Sequence, residues 1–117
     1  MLNNIGADEI ENRSQSLERK AAEWSDDSET RITIIAADGQ VLADSHYDIT
    51  EMDNHRNRPE VVQAIRSNSS GNEIRYSNTI GEEMLYYAVP IKNQGELIGI
   101  LRTARPLEFI RGVLVED

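Results

Sequence analysis

RITIIAADGQVLADSHYDITEMDNHRNRPEV, residues 31–61, reads as a β-hairpin, a polar crossing loop and the start of a helix. The β-branched residues in Ile32-Thr33-Ile34-Ile35-Ala36-Ala37 favour a strand, and both of its faces are apolar, as in a strand covered on both sides. Asp38-Gly39 tolerates the positive φ of a tight turn, and Val41-Leu42-Ala43 gives the return strand. Beyond the loop, Asn57 is placed to cap a helix and Pro59 suits a first helical position, where no N–H is needed. Glu60 completes an N-x-x-E capping box, so a helix is expected from Pro59.

Upstream, residues 1–30 hold neither Gly nor Pro after Gly6. Ile10, Leu17 and Trp24 recur every seven residues, with Ala7, Ser14 and Ala21 between them. This predicts one long amphipathic helix with a heptad seam. The seam either packs on the domain's own sheet or protrudes to pair with a second copy, and a seam of alternating large and small residues makes only a weak coiled coil. Ser25 to Ser28 closes the helix in a polar turn.

Downstream, Val61, Val62 and Ile65 share one face of the helix, which stops at Ser67 to Gly71. Glu73 to Ser77 alternates polar and apolar, marking an edge strand. Met84 to Val89, ended by Pro90, and Leu97 to Leu101 are apolar on both faces and read as central strands. Joining central strand to central strand predicts an α+β domain with a five-stranded antiparallel sheet of order 2-1-5-4-3. A closing helical segment begins at Pro106, with Leu107, Ile110 and Leu114 at heptad-like spacing and Gly112 as a soft point. The chain therefore divides into an N-terminal helix (1–30), a core (31–105) and a C-terminal connector (106–117).

Composition excludes several functions. The chain has 117 residues, 38% of them hydrophobic and 28% charged, with a net charge of −9. That balance suits one globular domain and opposes binding to nucleic acid or an anionic membrane surface, which both need a basic footprint. Without cysteine there is no disulfide or thiol chemistry. No apolar run approaches the length of a membrane span, and Met1 is followed by no signal-peptide pattern. The chain carries no nucleophile elbow, Walker loop, zinc-protease motif or kinase signature, and it reads as non-enzymatic with no organic cofactor.

The strand, DG turn, VLADS run, acidic loop and N-H-x-x-R-P-E-V run together carry a resemblance. Asp38, Gly39, Val41 to Ser45, Asp48, Met52, Asn54, His55, Arg58 to Val61, and then Leu85 to Pro90, resemble the extracytoplasmic PAS-like (Cache/PDC-type) sensing domain of Gram-positive PhoR-type sensor histidine kinases, which serve the phosphate regulon, and of related cell-wall-sensing kinases. The likeness covers residues 31–106. It implies a PAS/Cache sheet and a signal-input domain on the outer face of the cell membrane, joined to the rest of the kinase through membrane spans at both ends. It also implies a homodimer that signals by helix displacement, and the phosphotransfer itself would belong to cytoplasmic domains beyond these residues. The alternative is a cytoplasmic or free-standing PAS-like domain for protein interaction or dimerisation, and spans flanking the domain in the parent gene decide between the two.

Two groups of site residues follow. In Cache-like sensors the loop and helix after the second strand wall a pocket in which arginines clasp small anions. This makes His55, Arg56, Arg58, Arg75, Tyr76 and Tyr86 the candidates for a small anion or a cell-envelope component. Their structural alternative is that Arg58 shapes the helix entry, Arg66 and Arg75 face water, and the tyrosines fill the core. For dimerisation and signalling the candidates are Ile10, Leu17, Trp24, Leu107, Ile110 and Gly112. His46 and His55, with Asp44, Asp48 and Asp53, are read as loop residues rather than a metal site, since no supporting pattern accompanies them.

Overall fold

The computed structural model describes residues 5–12, 15–25, 29–78 and 80–108. In chain order the elements are α1 (Ala7–Glu11), α2 (Ser16–Ser25), β1 (Arg31–Ala36), β2 (Val41–Asp44), a 3-10 turn (Ile49–Glu51), α3 (Pro59–Ser67), β3 (Gly71–Ser77), β4 (Glu82–Asn93) and β5 (Glu96–Pro106). The strands form one antiparallel sheet of order β2-β1-β5-β4-β3, the order read from the burial pattern.

Alternation along β1 divides the core into two layers. Ile32, Ile34 and Ala36 pack with Ile10, Leu17, Ala21 and Leu101 under α1 and α2. Ile35 turns to the other face and packs with Val61, Ala64, Ala88 and Ile100 under α3. Thr33 lies on that second face too, opposite Arg102 of β5, and there the packing turns from apolar to polar.

The N-terminal seam faces inward. Ile10 and Leu17 are buried in the domain's own core and Trp24 packs against it, so self-packing is the reading that applies to these three. The single long helix expected there is instead two helices. Asn12 closes α1 and Ser16 opens α2, residue types whose side chains compete with the helical backbone. Glu9 bridges the pair, accepting from Ser16 Oγ and from Lys20 Nζ at 2.6 Å, and these contacts hold its carboxyl down at about 2.

Two further expectations change. β4 does not end at Pro90 but runs through it to Asn93. β3 reaches only as far as Ala88, so Pro90 sits where β4 has an open edge and a missing N–H is tolerated. The helix cap is also different. Arg58, not Asn57, is the N-cap of α3, no side chain caps it, and Glu60 is wholly buried instead of folding back to a capping box. Leu107 is buried at the end of β5, whereas Ile110 and Gly112 lie outside the described residues.

Candidate functional site

The crossing loop is fastened to the first hairpin. Gly39, at φ +95°, leaves no room for a side chain: a Cβ there would lie 2.2 Å from Asn54 Oδ1 and 2.5 Å from Arg56 Cβ. The loop fills that space, with His55 N–H donating to the Gly39 carbonyl at 2.8 Å and Asn54 Nδ2 donating to the Asp38 carbonyl at 3.1 Å. Arg56 is part of this clasp, its guanidinium donating to the Ala37 carbonyl at 2.9 Å. Arg56 therefore stands apart from the other site candidates, while the clasp drives the next side chain, His55, inward to 5% exposure.

Below the loop a polar network crosses the sheet. Glu60, on the first turn of α3, accepts from Arg75 of β3 at 2.5 and 3.1 Å and from Arg102 of β5 at 3.1 Å. Arg102 also donates to Thr33 Oγ1 at 3.3 Å, and Thr33 donates to Asp44 Oδ2 at 2.9 Å. Asp44 accepts in turn from Arg31 Nε at 2.8 Å and, through its other oxygen, from the backbone of His46 and Tyr47. Tyr86 of β4 lies beneath the guanidiniums of Arg75 and Arg102, whose carbons sit 3.8 and 4.9 Å from its ring centre. Four of the five strands thus contribute to one chain of charge and hydroxyl, and β4 adds the aromatic face of Tyr86.

Burial sets the protonation states. Burial by itself would raise the Glu60 pKa, but hydrogen bonds from Arg75 and the charge of Arg102 override it and hold the carboxyl below its usual range. Arg102, 2% exposed, is brought down to about 10 by burial and by Arg31 nearby, and it stays charged at neutral pH. His55 is lowered to about 4, first by burial and then by the charge of Arg102, with Arg58 and Arg31 adding to it, so its ring is neutral. Since the Asp53 carbonyl can only accept, the 2.7 Å contact at His55 Nδ1 puts the ring proton on that nitrogen.

Above this network opens a cavity of about 340 Å3, lined by Arg31, Glu51, Met52, Asp53, His55, Arg58, Arg75, Tyr76, Ser77, Asn78, Tyr86 and Arg102. Five of the six candidates read from sequence meet there: His55, Arg58, Arg75, Tyr76 and Tyr86. Tyr76 stands at the rim, 59% exposed, and Tyr86 is buried. Arg75 is partly exposed, but it does not simply face water, since its guanidinium holds Glu60. Among the described residues Arg58 has no side-chain hydrogen bond or ion pair, and Arg102 Nε is buried without a partner. No three acidic or histidine side chains converge on a possible metal position among the described residues.

Arg102, Glu60, Arg31, Asp44 and Thr33 were missed as site residues. Arg102 could have been found, because a charged residue inside Leu97-Ile98-Gly99-Ile100-Leu101-Arg102, an otherwise apolar central strand, needs a buried counter-charge. Nothing local in the sequence points to Glu60 as that partner.

Fold and site together define a sensing domain: a central antiparallel sheet with helices on both faces and a polar pocket beneath the loop that leads into α3. The chain belongs to the single Cache-like family, whose model matches residues 5–105. Like that family it is a sensor module and not an enzyme. No curated protein matches it. The fold is similar to the V. cholerae histidine kinase DctB sensor domain, with a TM-score of 0.70, 18% identity, and 90% of this chain and 44% of that one covered. It is also similar to the ligand-binding domain of Campylobacter jejuni chemoreceptor Tlp3 in complex with 4-methylisoleucine, with a TM-score of 0.76, 14% identity, and 93% and 47% covered. A third is the ligand-binding domain of the Pseudomonas aeruginosa PAO1 chemoreceptor PctB with L-Gln, with a TM-score of 0.63, 20% identity, and 89% and 48% covered. This chain spans less than half the length of these three, and at such identities the likeness is one of fold. Among the described residues no helix is long and apolar enough to cross a membrane.

Proposed function

We propose that the chain is the signal-input domain of a membrane sensor histidine kinase, held on the outer face of the cell membrane, and that its pocket takes a small organic anion. The observation that carries the anion is the cavity of about 340 Å3 lined by four arginines, one of them, Arg58, without a counter-ion among the described residues. The ligands named with Tlp3 and PctB are amino acids, each of which carries a carboxylate. The run DGQVLADS followed by NHRNRPEV favours a PhoR-type host, and DctB is a kinase with the same sensor fold. Pairing of two copies belongs to this reading. With Ile10 and Leu17 taken up by the core, it would use the outer faces of α1 and α2 or the segment beyond Leu107.

The test is calorimetric titration of the domain with small carboxylates and inorganic phosphate, repeated on Arg58→Ala. An anion should bind, and the variant should weaken it about tenfold or more while leaving the unfolding midpoint unchanged. Binding that survives Arg58→Ala unaltered places the ligand elsewhere. In the full-length parent, Arg58→Ala should then blunt the response to that anion.

A further inference from the structure

We infer that the ligand of this pocket is a monocarboxylate with a hydroxyl beside its carboxylate, the hydroxyl donating to Nε2 of His55. This rests on the anion-binding reading above and narrows it.

His55 presents an acceptor. Its Nδ1–H is spent on the Asp53 carbonyl at 2.7 Å, so Nε2 carries a lone pair, and it makes no hydrogen bond among the described residues although the ring lines the cavity. The surrounding guanidiniums disfavour a proton there, so the acceptor persists at neutral pH. A bound molecule that offers no donor leaves this nitrogen dry and unsatisfied.

Charge decides which donor fits. Both oxygens of Glu60 are held by Arg75 and Arg102, and Asp44 is held by Arg31 and Thr33. Among the described residues Arg58 is left as the one guanidinium lining the cavity without a carboxylate, which suits a single anionic group. An ammonium beside that group would lie next to Arg58, whose charge no carboxylate offsets among the described residues, and the lining carboxylates left for it, Glu51 and Asp53, are exposed. A hydroxyl is neutral. It donates to His55 and keeps a lone pair for the guanidinium donors around it, which an ammonium cannot do.

The experiment titrates the domain with L-lactate, propionate and L-alanine, which share a three-carbon skeleton and differ at the carbon next to the carboxylate. L-Lactate should bind at least about fivefold more tightly than either of the others. In His55→Phe its advantage over propionate should shrink to within about twofold. Should that variant not fold, the 15N resonance of His55 Nε2 in the parent serves instead, moving with L-lactate and staying in place with propionate. If the acids bind but propionate or L-alanine equals L-lactate, the hydroxyl assignment is overturned and the anion pocket stands. If none binds up to about 10 mM, the hydroxyl assignment falls, and the anion pocket falls with it only if the other small carboxylates and inorganic phosphate fail to bind as well.

Discussion

Glu60 and Arg102, 42 positions apart in the chain, meet at 3.1 Å with both side chains almost wholly out of water. Their contact ties the first turn of α3 to the central strand β5, and it is made at the floor of the pocket. Taking two charges out of water is costly, and here the cost is offset by a second guanidinium on Glu60, a hydroxyl on Arg102 and an aromatic face below.

Removing one partner should therefore cost more than removing two. Glu60→Gln strands Arg102 in the interior and should destabilise the domain by about 3 kcal/mol or more. Adding Arg102→Met removes the stranded charge and should recover part of that loss. Urea unfolding of the two single variants and the double variant gives the coupling. If the two losses simply add, the cost lies in packing and not in charge.

His55 makes stability depend on pH. Its native pKa of about 4 lies below the ordinary 6.5, so between those values the unfolded chain binds a proton that the native chain refuses. Above pH 6.5 both states are neutral at this site and nothing is lost. As pH falls through the window stability should drop, by up to about 3 kcal/mol in all. Denaturation at pH values of about 7, 6 and 5 should show the slope, and His55→Gln should flatten it.

Gly71 lies so close to α3 that a Cβ would stand 2.1 Å from the Glu60 carbonyl oxygen and 2.8 Å from the Ala64 nitrogen, both backbone atoms. Gly71→Ala should push α3 off β3 and cost about 1–3 kcal/mol. Hydrogen exchange should locate the damage in the first two turns of α3, and protection equal to the parent's would mean that the sheet yields instead.

Asn57→Ala checks the helix entry. A capping asparagine contributes about 1 kcal/mol, but α3 has no side-chain cap, so this variant should stay within about 0.5 kcal/mol of the parent. A larger loss in thermal or urea unfolding would restore Asn57 to the cap.

The strand order was legible because burial on one or both faces is written into alternation. Ile32 to Ala36, with Thr33 its one polar residue, and Leu97 to Leu101 are apolar on both faces, as a doubly covered strand requires, and the wet alternation of Glu73 to Ser77 marks an edge. Five of the six pocket candidates were legible too, since the loop into α3 and the strands beyond it place them together.

The break between α1 and α2 was not, because Ile10 and Leu17 keep a helical spacing whether or not the backbone runs straight between them. Nor was the fate of Glu60. In sequence it completes a capping box with Asn57, a local contact worth about a kilocalorie. Only the assembled sheet brings two guanidiniums, from β3 and β5, to the same carboxylate, and their combined hold is stronger than any cap. The sequence by itself determined which strands are central, because that follows from local burial. Tertiary structure alone decided which charges share the floor, because partners 15 and 42 positions away carry no mark of one another until the sheet closes.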